Sequence, residues 1–283
     1  MNHNSLRIAI LDMYDNVANE GMRCILNLIK NFEEESHIPL QYNIYNVRAE
    51  MALPDLSYDI YISTGGPGSP LESGESWEAP YFTFIDSIFA YNRGEEVIAG
   101  IQKPKYMFLI CHSFQLVSRH LGIGMVSKRR STSFGVFPVH RTIEAGSEPF
   151  FDGLPEPFYV VDSRDYQLVR PNKKRIKDLG VTILRLEKER PHVNLERAIM
   201  AIRFSKEVFG TQFHPEADGE GMLRYLQKED KRHAVVKSHG LAKYNSMMEQ
   251  LADPDKILLT ESVILPNFLK TATTAIFKTT SQN

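Results

Sequence analysis

The sequence predicts an α/β protein, a doubly wound and mostly parallel sheet with a helical C-terminal extension. Three observations carry this. Between Leu6 and Gly122, apolar runs alternate with segments whose apolar residues recur at helical spacing, the pattern of βαβ units. The run before Cys111 is continuously apolar rather than alternating, as a strand covered on both faces should be. Beyond Glu216 the chain becomes helical and charged.

The elements follow in order. "LRIAILDM" reads as a short buried strand and "NVANEGMRCILNLIKNF" as the helix behind it, with Asp15 or Asn16 as its cap. "LQYNIYNV" reads as a second strand, and "YDIYIST" as a third that runs straight into "GGPGSP" at residues 65–70. The next helix is "YFTFIDSIFAYNRG". "KYMFLIC" is a fourth strand, with "SFQLVSRHLG" as its helix, stopped at Gly122. From Gly124 to Thr211 the texture changes to shorter, turn-rich β segments: "FGVFPVHRTI", "FYVVDSRDYQLV", "VTILRLEK", "RAIMAIRFS" and "VFGTQFHPE". The organisation predicted is one domain over residues 1–220 with a helical extension, 221–283, packed on it.

Bulk properties narrow the function classes. A chain of 283 residues buries roughly 75% of its unfolded surface, so a stable core is expected. A net charge of −2 gives no global attraction to nucleic acid or anionic membrane, and the basic runs "SKRR" and "RPNKKRIK" read as solvated loops. No run approaches the roughly 18 apolar residues of a membrane span. Neither nucleic acid nor membrane is therefore an expected partner. Two cysteines, Cys24 and Cys111, are too few for a disulfide framework, and the N-terminus has no signal-peptide stretch, so a reducing, cytoplasmic location is expected. The nine histidines show no H-E-x-x-H or clustered ligand spacing, so neither metal nor cofactor is expected.

Three strand ends hold the candidate chemistry. Cys111 closes a strand and opens a helix, which exposes it at the sheet edge and places it at the positive end of a helix dipole that favours thiolate. The bland alternative is a small buried hydrophobe. In "FGTQFHPEAD", Pro215 holds His214 extended, and residues two apart in an extended chain point the same way, so His214 and Glu216 are neighbours. A carboxylate that holds one ring nitrogen while the other faces a nucleophile is the generalised triad. In "STGGPGSP", glycines allow close backbone approach and amides that bind an oxyanion. Pro67 lacks an amide and no G-K-[ST] follows, so a nucleotide-phosphate cradle is not predicted.

Together, and in this order, these features resemble the class I (triad) glutamine amidotransferases, in the branch near the amidotransferase domain of GMP synthetases. The resemblance runs from Arg7 to Glu216 and rests on "GGPGSP", "LICHSFQL", "LGIGMVSKRRSTSFGVFPV" and "FGTQFHPE". It implies a flavodoxin-like fold and cleavage of the glutamine side-chain amide through a γ-glutamyl thioester, with release of ammonia. Position by position, it implies Cys111 as nucleophile, His214 as base and then acid, and Glu216 as its orienter. The amides of Gly66 and His112 would form the oxyanion hole. Gly68 and Gln115 would hold the substrate's amino-acid end, and Ser163 and Tyr166 in "DSRDYQ" match a segment whose backbone touches glutamine. Two departures stand out against the family pattern G-x-C-x-G-x-Q, because Leu109 and Ser113 occupy the glycine positions. Serine is small enough to fit the elbow; leucine requires the neighbouring element to stand back. The segment "DSRD" also lacks a histidine often found there.

The ligand implied is glutamine or another γ-glutamyl compound. The 67 residues beyond Glu216 are too few for an ammonia-accepting domain, so the acceptor would be a separate synthetase subunit. A stand-alone γ-glutamyl amide or peptide hydrolase is the alternative, and a non-catalytic binding protein on the same scaffold is another. The stripe "ILLTESVILPNFL" reads as core packing or as a docking surface for a partner or second copy in a homodimer. "LESGESWEAPYF", with the single tryptophan Trp77, reads as a lid over the crevice or a solvated loop.

Overall fold

The computed structural model describes residues 5–98, 102–192 and 194–281. Among these, the strands are β1 (Leu6–Asp12), β2 (Leu40–Asn46), β3 (Ile60–Ser63), β4 (Tyr106–Ile110), β5 (Met125–Arg141), β6 (Phe158–Val169), β7 (Thr182–Glu187), β8 (Ile199–Arg203) and β9 (Val208–Thr211). They form one sheet in the order β2-β1-β3-β4-β9-β8-β7-β5-β6. Pairing is parallel from β2 through β9 and antiparallel from β9 to β6. The predicted doubly wound α/β fold is present, continued at one side by an antiparallel arm.

Alternation along the buried strands explains the two layers, since successive side chains point to opposite faces. Ile8, Ile10, Ile60, Ile62, Phe108 and Ile110 face one way, against Ile25, Leu28 and Phe32 of α1 (Gly21–Ser36). Ala9, Leu11, Tyr61, Met107 and Leu109 face the other way. That face is covered by α3 (Glu78–Asn92) and α4 (His112–His120), which follow the short α2 (Val47–Glu50). Burial on both faces is why these strands read as continuous apolar runs. Gly122, at φ 68°, ends α4 as expected, and the Ile123 amide donates to the Ser118 carbonyl at 3.0 Å.

Several details differ from expectation. Asp15 and Asn16 do not cap α1; both adopt left-handed backbone in the preceding turn, and Asn19 Oδ1 instead accepts the Met22 amide at 3.0 Å. The turn-rich region contains one 17-residue strand, β5, whose irregularity is a register shift between Lys128 and Ser133. A bulge of this kind interrupts a strand's pattern without ending the strand. Within the segment read as a lid or a solvated loop, Trp77 itself is packed inward: it is 4% exposed, donates from Nε1 to Glu75 Oε2 at 2.6 Å, and lies beneath the Arg48 guanidinium.

Helix α5 (Lys173–Leu179) lies in the arm between β6 and β7; the C-terminal part comprises α6 (Gly219–Gln227), α7 (Glu229–His239), α8 (Leu241–Ala252) and α9 (Leu259–Ser281). The stripe on α9 is core: Ile264, Leu265, Phe268, Leu269, Ala272 and Ile276 recur at helical spacing and join the layer that holds α1. Phe268 meets Phe108 edge-on with centroids 5.2 Å apart. Such aromatic pairs contribute about 0.5–1.5 kcal/mol beyond their area. Among the described residues, no helix is long and apolar enough to cross a membrane.

Candidate active site

Cys111 sits between β4 and α4 with φ 44° and ψ −92°. A non-glycine residue there stores roughly 1–3 kcal/mol, so the surroundings must hold it. They do so from both sides: the Cys111 amide donates to the Thr211 carbonyl at 2.8 Å, and its own carbonyl accepts the Gln115 amide at 3.0 Å.

The two missing elbow glycines have separate solutions. Ser113 Oγ donates to the Thr64 carbonyl at 2.6 Å and lies 2.8 Å from Ser63 Oγ, so its hydroxyl ties α4 to β3. Leu109 lies opposite Gly210 in the β4–β9 register, where an added Cβ would stand 3.0 Å from Leu109 Cβ. The element that stands back is therefore Gly210 on β9.

β9 also delivers the histidine. The His214 amide donates to the Val161 carbonyl at 3.0 Å, which keeps the residue extended before Pro215. Its Nδ1 lies 2.8 Å from Oε1 of Glu216, a carboxylate only 1% exposed. Burial alone would lower the imidazole pKa. The Glu216 carboxylate and the Cys111 sulfur outweigh this and hold it well above the usual histidine range. Gly65 shows how closely the parts converge, because a Cβ there would stand 2.9 Å from His214 Cε1 and 3.7 Å from Cys111 Cβ. The imidazole therefore stands between the Glu216 carboxylate on one side and Cys111 on the other.

The loop after β3 supplies backbone. A Cβ on Gly66 would collide with the Met13 carbonyl, and Gly68 has φ +91°, so both positions require glycine. Arg48 braces this loop, donating to the Pro67 carbonyl at 2.6 Å and the Met13 carbonyl at 3.3 Å. The His112 amide belongs to the first turn of α4, where amides have no intrahelical acceptor. Its imidazole is 2% exposed, with Nε2 unpartnered. Burial, with the charges of Arg48 and Arg119, lowers its pKa to about 3, so the ring is neutral.

The remaining candidates divide. Ser163 offers its carbonyl to Cys111 Sγ at 3.9 Å. Gln115 Nε2 donates to Gln212 Oε1 at 2.9 Å, and Gln212 Nε2 in turn lies 3.7 Å from the sulfur. Tyr166 pairs with Lys128 in the sheet and gives its carbonyl to the Arg164 guanidinium, so that acceptor is already engaged. Gly65, Arg48 and Gln212 went unnoticed in the sequence. The doubled glycine and the residue two before His214 were the available signals for two of them; Arg48 carried none.

Beside His214 opens a cavity of about 230 Å³, with Tyr14, Cys24, Phe134, Ser163 and Glu216 also lining it. The Tyr14 hydroxyl and Glu216 Oε2 are buried there without hydrogen-bond partners. Burial, then the Glu216 and Cys111 charges, raise the Tyr14 pKa, so the phenol stays protonated as a donor. Among the described residues no cluster suited to a metal ion occurs. A thiol, an imidazole, a carboxylate and backbone N–H groups at a helix start are groups that acyl transfer can use.

A family model described as "Glutamine amidotransferase class-I" matches residues 12–232. No curated protein matches the chain in sequence. Among solved structures, a glutamine amidotransferase from Thermotoga maritima is similar at 15% identity, covering 96% of this chain and 99% of its own, with TM-score 0.65. A glutamine amido transferase from Methylobacillus flagellatus is 12% identical over 96% and 94%, with TM-score 0.61. The glutaminase domain of Trypanosoma brucei CTPS, with bound acivicin, is 14% identical over 75% and 86%, with TM-score 0.53. At these identities the likeness is one of fold.

Proposed function

Because the chain belongs to the glutamine amidotransferase class-I family, we propose that it cleaves the γ-amide of glutamine at Cys111 and passes ammonia to a separate acceptor subunit. The observation that carries this is the convergence of the Cys111 sulfur on a His214 ring already held by Glu216 at 2.8 Å. In this reading residues 1–220 are the amidotransferase-like unit, of the GMP synthetase branch, and 221–283 its helical extension.

Each part has a derived task. The Cys111 thiol gives its proton to the His214 ring as its sulfur attacks the γ-carbonyl carbon, and the resulting oxyanion is held by the amides of Gly66 and His112. One such donor typically lowers the barrier by about 3–4 kcal/mol. Gly68, Gln115, Ser163 and Tyr166 are the candidates for gripping the amino-acid end, with Gln115 acting through Gln212 and Tyr166 by a group other than its carbonyl, which Arg164 holds. His214, protonated beside Glu216, gives its proton to the departing nitrogen; the C–N bond breaks and ammonia leaves a γ-glutamyl thioester. His214 then takes a proton from water, hydroxide adds to the thioester carbon, and the C–S bond breaks to release glutamate.

A second reading is favoured by the cavity of about 230 Å³ beside His214, which exceeds what ammonia needs. There the substrate is a γ-glutamyl amide or peptide with a substituted nitrogen, and the chain acts alone. Ammonia release from glutamine, compared with amine release from γ-glutamyl amides, separates the two. Labelling with a diazo-ketone glutamine analogue tests both against a non-catalytic scaffold. Cys111→Ala is expected to abolish labelling and to reduce turnover on the order of 10⁴-fold or more. Equal labelling of wild type and variant would remove Cys111 as nucleophile.

A further inference from the structure

A second cavity, of about 150 Å³, lies on the antiparallel arm, away from the sulfur. Sites for drug-sized ligands run from about 300 Å³ upward, so this one suits a group of a few heavy atoms. Its lining carries four cations, Arg129, Lys188, Arg190 and Lys243, against two carboxylates, Asp162 and Glu187.

Both carboxylates are already engaged. Glu187 takes Arg129 at 3.1 Å, Arg190 at 2.7 Å and Arg164 at 3.6 Å. Asp162 takes the Arg164 guanidinium at 2.8 Å and the Ser133 hydroxyl at 2.7 Å. Lys188 and Lys243 have no carboxylate partner among the described residues. Both ammonium groups lie instead over the ring of Phe137, at 5.0 and 4.3 Å from its centroid. A cation–π contact of this kind holds the ammonium in place but neutralises nothing. Burial and the Lys188 charge lower the Lys243 pKa, the sign of a cation short of an anion. Gly135 keeps the space open, since a Cβ there would stand 3.1 Å from Lys243 Nζ.

We infer that this cavity binds a phosphate-type dianion, either the free ion or the terminal group of a phosphate monoester. Lys188 and Lys243, the two cations without a carboxylate partner, match its charge, and Ser131 adds a hydroxyl to the lining, whereas the Thr132 hydroxyl is already given to Asp165. Two half-buried ammonium groups without a counter-ion are costly, and a shared dianion removes that cost. The inference is independent of the role given to Cys111, although the two cavities share part of their walls. Asp162 directly precedes Ser163, whose carbonyl meets the sulfur, and Phe134 pairs with Ser163 while lining both cavities.

Calorimetric titration of the full chain in phosphate-free buffer of constant ionic strength tests this, with inorganic phosphate and glycerol 3-phosphate as separate arms. Saturable one-to-one binding is expected; tighter binding of the monoester identifies the larger ligand, and equal or tighter binding of phosphate identifies the free ion. The double variant K188Q/K243Q is expected to weaken binding at least tenfold, and K173Q/K174Q, equally basic but outside the cavity, to leave it unchanged. The single variants K188Q and K243Q, each checked for a wild-type melting transition, carry the same test at threefold or more should the double variant fail to fold. Absence of saturable binding to either ligand, equal weakening by the control pair, unchanged affinity in the folded cavity variants, or binding of an acidic peptide alone would overturn the inference.

Discussion

The parallel half of the sheet and its antiparallel arm solve the same burial problem with opposite chemistry. β1, β3, β4 and β9 are covered on both faces and fill those faces almost wholly with aliphatic and aromatic side chains. The arm buries Asp162, Arg164 and Glu187 within its strands, where Arg129 joins them in one ion network, and buries Arg185 in a separate pair with Glu156. Hydrophobic packing tolerates one strained residue, Cys111, because its neighbours are rigid. A buried ion network tolerates no missing partner, because each charge depends on the next. The candidate site draws on both: Cys111 from the apolar half, the Ser163 carbonyl from the ionic arm, and His214 from the boundary between them.

Substitutions in each half sharpen the contrast. At the boundary, Glu216→Gln is expected to lower turnover by roughly 10²- to 10⁴-fold, and His214→Gln by more, because an orienter contributes less than the base it holds. Steady-state assays decide this, and the reverse order would exchange the two roles. In the arm, Arg164→Met leaves Asp162 buried with its charge uncompensated and is expected to cost about 3–5 kcal/mol in denaturant unfolding. In the apolar half, Gly210→Ala presses a methyl group against Leu109, and about 1–3 kcal/mol is expected by the same measurement. A larger loss from Gly210→Ala than from Arg164→Met would break the comparison.

The last effect is spread over a range of pH. His112 is buried neutral, its folded pKa near 3 against about 6.5 unfolded, so the unfolded chain binds the proton first as pH falls. Stability is then lost between those values at about 1.4 kcal/mol per pH unit, and His112→Gln should flatten that slope relative to wild type in pH-dependent melting. His214 acts in a different window. Its raised folded pKa gives stability that is complete below the unfolded value and is lost as pH rises through the folded one.

Much of the apolar half was legible in the sequence because strands buried on both faces leave unbroken runs and their helices leave periodic ones. Cys111, His214 and Glu216 were legible as strand ends, and the H-P-E geometry followed from the extended backbone that proline imposes. The arm was harder to read. Its buried charges look like solvated surface, and the Lys128/Ser133 shift makes the 17-residue β5 look like fragments. Arg48 and Gln212 act through contacts with residues distant in sequence, and no local pattern announces such contacts. Ser113 and Leu109 read as departures from the family pattern, yet a hydroxyl bonded to Thr64 and a glycine across the ladder accommodate them.

The adjacency of β4 and β9 bears on how the chain acquires its competence. The sulfur and the imidazole lie about 100 residues apart in sequence and meet through one parallel strand pair, a kind of closure that forms slowly compared with local contacts. Helices and local hairpins can therefore mature during refolding well before that seam closes. Recovery of thiol reactivity would lag behind recovery of helical circular dichroism, making the chemistry itself a late clock for assembly.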